Sequence, residues 1–172
     1  MIPQSPLTDN VITRIFVPMS PSLRTEIKQR KPFGSLEQEA YLNLARTVAC
    51  LEHEIAEVLK PYGLTQTQYN ALRVLRGAGD AGLSRNEIQD RLVARVPDCT
   101  RLLDRLMAMG FATRTREEDD RRVVTTRITP AGLKAIEPLD EVILQAHRGQ
   151  LSHLGPEKLK SLIGLLETVR EK

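Results

Sequence analysis

The chain has few of the residues that staple or metallate a small protein. Among 172 residues there are two cysteines, Cys50 and Cys99, without Cys-x-x-Cys spacing, and three histidines, His53, His147 and His153. That excludes a disulfide framework and the ligand spacing of a structural zinc site, so reduced thiols, no metal and no other cofactor are expected. No apolar run approaches the ~20 residues of a membrane span, and the start lacks the charged-then-apolar order of a secretory signal. The expectation is a cytoplasmic protein without membrane contact. Gly-x-Ser-x-Gly, His-Glu-x-x-His and phosphate-binding glycine loops are also missing, which leaves an enzyme without support in the sequence. Lysine is absent between Pro61 and Leu133, where twelve arginines meet nine acids; the whole formal excess of +3 sits there. Arginine offers a planar fork suited to phosphates and guanine edges, so this segment favours specific anion recognition over loose attraction, although a solvated arginine surface gives the same count.

The length allows one domain with a full core or two small lobes sharing one. Residues 1–34 hold five of the ten prolines and no sustained periodicity. They read as an N-terminal extension with one short helix, Ser20 to Lys31, in which Pro21 follows a capping serine. A long scaffold helix over 35–61 opens at Ser35, with Gln38 completing a capping box, and stops at Pro61. Its stripe of Leu44, Val48, Leu51, Ile55 and Val58 is accompanied by a small-residue stripe of Leu42, Ala45, Ala49 and Ala56. A helix apolar on two sides is sandwiched between two bodies, one of them a candidate second subunit.

Residues 62–129 read as one lobe. Thr65 to Gln68 and Ser84 to Glu87 are two more capping boxes, opening helices that bury Tyr69, Leu72 and Leu75, and Ile88 and Leu92. Gly77 and Gly79 stop the first of them. A third helix, Val96 to Met109, puts Cys99, Leu102, Leu103 and Leu106 on one face and Arg101, Asp104, Arg105 and Ala108 on the other. Two β-rich runs follow, Phe111 to Arg116 and Val123 to Thr129, joined by the charged tip Glu117 to Arg122. In the second run Val124, Thr126 and Ile128 alternate against Val123, Thr125 and Arg127. Helices followed by a hairpin make a helix-turn-helix with a wing. In 130–172, Thr129 caps a helix with Pro130 at its first position, a stripe of Leu133, Ile136, Leu139 and Ile143, and a kink at Pro138. Gly155 and Pro156 open a last helix bearing Leu159, Leu162, Ile163, Leu166 and Val169. Stripes this wide call for a partner, and pairing two chains here predicts a homodimer. The fold class is mainly α with a small antiparallel hairpin.

The stretch Cys99-Thr-Arg-Leu-Leu-Asp-Arg-Leu-Met-Ala-Met-Gly-Phe, with Asp120-Arg121-Arg122 and then Ile128-Thr129-Pro130-Ala131-Gly132, resembles the MarR (multiple antibiotic resistance regulator) family. The likeness covers roughly Ser35 to the C-terminus. It implies a winged-helix homodimer, N- and C-terminal helices interlocked, on pseudo-palindromic double-stranded promoter DNA. It also implies a repressor released by a small phenolic or aromatic-acid effector, or by cysteine oxidation. The sequence departs from the family at the start of the recognition helix, where Arg95 and Val96 supply no capping oxygen, and in its longer proline-rich arm.

Within that frame Thr100 and Arg101 are the candidates for base edges, Arg101 for guanine O6 and N7. Phosphate contact alone is the bland alternative for Arg101. Asp98 suits a cytosine amine or the helix dipole. Asp104 and Arg105 pair with each other or with the wing, and Arg105 counts among the DNA-binding candidates. At the wing, Asp120 clamps an arginine while Arg121 or Arg122 enters a minor groove. Arg85, Arg114 and Arg116 are phosphate candidates, or solvated surface. His53, Tyr69 and Arg73 are candidate effector contacts, and equally ordinary core and surface residues. Cys50 and Cys99 admit a redox-sensing reading, against which stands the usual burial of free cysteine. A wing that docks protein is the competing class of function.

Overall fold

The structure is a computed structural model that describes residues 21–116 and 124–171. The chain falls into two compact units, Met1–Thr47 and Val48–Lys172. In the first, helix α1 is a single turn, Leu23–Glu26, much shorter than the expected Ser20 to Lys31. Ser22 takes the N-cap position but caps no amide. Lys28 turns the chain with φ +53°, and the Arg24 guanidinium donates to the carbonyls of Gln29 and Arg30 at 3.2 and 2.6 Å. Those bonds satisfy the carbonyls outside the helix and commit the segment to a turn.

Helix α2, Leu36–Leu59, runs through the end of the first unit into the second. Half of its predicted box forms. Ser35 Oγ accepts the Gln38 N–H at 3.2 Å, while Gln38 Oε1 reaches past Ser35 to the Gly34 N–H at 2.6 Å. At the other end a 3₁₀ turn, Lys60–Tyr62, contains Pro61 and closes on Gly63 in the left-handed region at φ +66°. Of the predicted stripe, Ile55 is buried, but Val48 is 49% exposed.

The second unit continues with α3 (Gln66–Ala78), β1 (Leu83–Ser84), α4 (Arg85–Arg91), α5 (Cys99–Ala108), β2 (Ala112–Arg116), β3 (Val124–Ile128), α6 (Pro130–Ile136), α7 (Leu139–Leu151) and α8 (Gly155–Arg170). Both predicted boxes close reciprocally, Thr65 with Gln68 on α3 and Ser84 with Glu87 on α4. Gly77 lies inside α3, and Gly79 alone ends it. The hairpin proves to be part of a three-stranded antiparallel sheet in the order β1-β3-β2. Leu83 faces Thr126 and Ser84 faces Thr125, so β3 is the middle strand and both threonines are buried. The simple in-and-out alternation expected of β3 fails for that reason. Gly82, at φ +64°, feeds β1 into the sheet; a Cβ there would lie 2.6 Å from side-chain atoms of Arg127 and Thr125.

Thr129 joins sheet to helix. Its N–H donates to the Phe111 carbonyl at 3.0 Å, its hydroxyl donates to the Gly110 carbonyl at 2.7 Å, and that hydroxyl accepts the Gly132 N–H at 3.0 Å. A Cβ on Gly132 would run into the Phe111 carbonyl oxygen, so this junction requires glycine. Pro138 divides where a kink was expected: α6 ends at Ile136, Pro138 becomes the N-cap of α7, and Leu133 of the predicted stripe is 41% exposed.

One core unites this unit. Leu59, Leu72, Leu75, Ile88, Leu103, Leu106, Ile136 and Leu139 are all fully buried, one or more from each of α2 to α7, so packing fixes α5 against the elements around it. Two polar ties reinforce that frame. Arg76 on α3 grips Asp140 on α7 through two bonds of 2.7 and 2.8 Å, and the Gln150 amide donates to the Leu51 carbonyl and Glu54. Helix α8 buries none of its residues, and Ile163, Leu165 and Val169 are more than half exposed.

Candidate nucleic-acid interface

The start of α5 decides what its outer face presents. The helix begins at Cys99, three residues later than the expected Val96, because Asp98 is the N-cap: its Oδ1 accepts the Arg101 N–H at 2.9 Å. Arg95 and Val96, which offer no capping oxygen, lie in the preceding linker, so the cap missing at those positions is supplied by Asp98. Asp98 therefore has one oxygen committed to the helix start. A capping aspartate also places negative charge at the positive end of the helix dipole. The buried residues Cys99, Leu102, Leu103 and Leu106 pack inward, leaving Thr100, Arg101, Asp104 and Arg105 exposed on the outer side. Among the described residues neither Arg101 nor Arg105 has an ion-pair partner, and their four-residue spacing sets both guanidinium groups on one helical face.

Asp104 pairs with the sheet and not with Arg105. Its Oδ1 lies 3.3 Å from Nη1 of Arg114 on β2, which links the outer face of α5 to the hairpin. Arg85, Thr100, Arg114, Thr115 and Arg116 line one groove of about 440 Å³, together with Val124 and Thr126. Four of the predicted DNA contacts, Arg85, Thr100, Arg114 and Arg116, are thus brought to one place, with three arginines and no acid among the lining residues. Arg85 is steadied by Asn86 Oδ1 at 2.7 Å.

At the wing root, Arg127 donates through Nε to the Asp80 carbonyl at 2.7 Å and through Nη1 to the Thr115 hydroxyl at 2.6 Å. It straps β3 to β2 and to the 3₁₀ turn Gly79–Ala81, a bracing role that the sequence did not single out. Asp120, Arg121 and Arg122 lie outside the described residues.

A second cavity, about 250 Å³, lies between α2, α3, α7 and the linker before α5. Of the three predicted effector contacts, Tyr69 and Arg73 line it and His53 does not; His147 on α7 does. His53 is exposed on α2, since its helical phase turns it from the face that carries Ile55. The Arg73 guanidinium sits 5.8 Å from the Tyr69 ring centroid, a cation–π arrangement. Burial pushes the Tyr69 phenol above its ordinary value, so at neutral pH it is a hydrogen-bond donor. Asn70 and Val93 complete a wall that no sequence pattern announced.

Cys99 is buried, and burial raises its thiol pKa, outweighing the attraction of Arg85. A thiol held protonated reacts slowly with oxidants, which argues against a sensing role for this residue. Cys50 is exposed. Among the described residues no group of three or more His, Cys, Asp or Glu could hold a metal ion, and no helix is long and apolar enough to cross a membrane.

A sequence model described as MarR family matches residues 62–123, from the turn before α3 to the hairpin. A MarR transcription factor from Planctomyces limnophilus, known from a crystal structure, is 43% identical, over 80% of this chain and 99% of that one, with a TM-score of 0.60. The HTH-type transcriptional repressor IacR of Pseudomonas putida is 26% identical over 126 residues, 73% of this chain and 74% of that protein. BpsR of Bordetella bronchiseptica, whose DNA binding is regulated by 6-hydroxynicotinic acid, is 21% identical and shares the fold, with a TM-score of 0.72 over 83% of this chain and 99% of that one.

Proposed function

This chain belongs to the MarR family of transcription regulators, and we propose that it is a homodimeric repressor that binds a pseudo-palindromic operator and is released by a small aromatic acid. The observation that carries the reading is the outer face of α5. Thr100 and Arg101 stand in its first turn, where a recognition helix meets base edges, and Arg101 has no ion-pair partner among the described residues. The basic groove beside it, with Arg85, Arg114 and Arg116, suits the phosphates that fix register without reading sequence. On the sequence alone, Arg121 or Arg122 would enter the minor groove, with Asp120 clamping an arginine.

The exposed apolar residues of α8 in one unit, Ile163, Leu165 and Val169, and of α2 in the other, Leu36, Tyr41 and Leu44, support a second copy as their cover. Residues 62–129 then form the DNA-binding lobe, 35–61 and 130–172 the dimerising helices, and 1–34 an appended arm. The cavity at Tyr69 and Arg73 offers an aromatic face and a cation, fit for a planar carboxylate. The regulator carries no proposed catalytic group.

Selection of bound duplexes from random DNA by the full chain tests this. The expected result is an enriched palindrome whose half-site centres lie about 10 base pairs apart, with affinity falling linearly in log salt at a slope of about −0.9 per phosphate neutralised. Recovery of no common motif, or association that is insensitive to salt, overturns it.

A further inference from the structure

Asn70 on α3 has a side chain that serves two places. Its Oδ1 accepts the N–H of Val93 at 3.0 Å, and the same side chain forms part of the cavity wall beside Tyr69, Arg73 and His147. Val93 directly follows Leu92, the buried residue that closes α4. Val93 is 91% exposed, so packing does little to hold it and the bond to Asn70 ties the linker to α3. That linker is short: it runs from Val93 to Pro97 before Asp98 caps α5. Displacing its first residue therefore displaces or frays the turn that carries Thr100 and Arg101. Ala94, the next residue, also lines the cavity.

We propose that Asn70 is a positioning residue for DNA recognition, a latch that holds the leader of α5 through Val93 and opens when an occupant of the cavity engages its amide. The second clause rests on the reading of this cavity as the effector site. The lining carries one acid, Glu52, and one arginine, Arg73, and an acidic occupant would be seated on the Arg73 side, next to Asn70 on the same helix. Asn70 Nδ2 has no partner among the described residues and can donate to a carboxylate that Arg73 attracts. Swinging the amide toward that carboxylate withdraws Oδ1 from the Val93 N–H. A ligand then shifts the population of the binding-competent leader by its preference for the unlatched form.

The test compares the full-length wild type with Asn70→Ala and Asn70→Asp on the duplex enriched by the wild type, with 4-hydroxybenzoate as the probe. Without probe, Asn70→Ala is expected to lose roughly two- to tenfold in DNA affinity, the scale of one net hydrogen bond. Its salt slope stays the same, and amide exchange over residues 92–98 accelerates. Asn70→Asp keeps the acceptor oxygen and restores slow exchange. A merely structural role would instead lower the melting temperature and leave the folded protein's affinity and the exchange of 92–98 unchanged. With probe, calorimetry should show binding to both proteins, weaker to Asn70→Ala, which lacks the amide donor, and at probe concentrations that saturate each protein only the wild type should lose DNA affinity. Equal release of both proteins by the bound probe, or wild-type affinity in Asn70→Ala, overturns the latch. Absence of any heat of binding to either protein overturns the effector reading, and the comparison without probe still decides the positioning role.

Discussion

Replacing Asp98 by alanine separates two roles that one carboxylate can play. The side chain accepts the Arg101 N–H at 2.9 Å, and the helix it opens buries Cys99, Leu102, Leu103 and Leu106. Packing therefore keeps α5 folded when the cap is lost, and the loss falls on the first turn, where Thr100 and Arg101 sit. An N-cap aspartate changed to alanine costs about 1 kcal/mol, within a range of roughly 0.5–2. For a chain of this size that is about 2–4 °C in melting temperature per kcal/mol. Asp98→Asn keeps a capping oxygen as good as the original and loses only the charge–dipole attraction, roughly 0.3–1 kcal/mol. Thermal melts at one fixed protein concentration, which the proposed dimer demands, should rank wild type, then Asp98→Asn, then Asp98→Ala. Affinities for duplexes altered one base pair at a time should show the same base preference in wild type and Asp98→Asn. An Asp98→Ala protein that melts with the wild type refutes the capping argument. So does an Asp98→Asn protein whose preference changes at a single cytosine, because the carboxylate would then be reading a base.

The Arg76–Asp140 pair gives a signed pH dependence. The guanidinium holds the Asp140 carboxyl below its ordinary 3.8, so its contribution is complete above that value and fades as the pH falls through the depressed folded one. The side chains are 33% and 50% exposed, which limits the effect to about 1 kcal/mol or less; Asp140→Asn should flatten the acid limb of a stability–pH curve, and an unchanged limb counts against the pair. Gly132→Ala should destabilise by about 1–3 kcal/mol in a denaturant titration, the scale of overpacking, because its methyl meets the Phe111 carbonyl; a neutral result means that the turn relaxes. Cys99 should resist alkylation in the native protein and react after denaturation, read by intact mass, and rapid native labelling contradicts its protonated, buried state.

What could be read from residues alone followed the range of the interactions. The boxes at Thr65 and Ser84 and the Thr129–Pro130 start were legible because each cap and its partner lie within three residues. The start of α5 was legible too, in Pro97-Asp98 before the apolar Cys99, but extending the helical phase back to Val96 obscured it. Leu83 and Ser84 gave no strand signal, since a two-residue strand exists only through Thr125 and Thr126, some forty residues away. For Asp104 the sequence left open Arg105 or the wing, and only the packing of α5 against β2 selects the wing, through Arg114. The phase of α2 already turns His53 away from Ile55, but it does not say which helix closes the opposite wall, and so His147 was not legible. Nothing in the sequence marks Asn70, whose partner is a backbone amide in a linker.

If the outer face of α5 reads base sequence, it shows in the ratio of affinities for the enriched duplex and a scrambled one, in wild type and Arg101→Ala. The wild-type ratio should reach roughly a thousandfold or more. Arg101→Ala should lower it by about 1–3 kcal/mol per half-site, the worth of one bidentate base contact, while binding to the scrambled duplex falls far less. A wild-type ratio near one, or an Arg101→Ala protein that loses equally on both duplexes, means that α5 does not read bases.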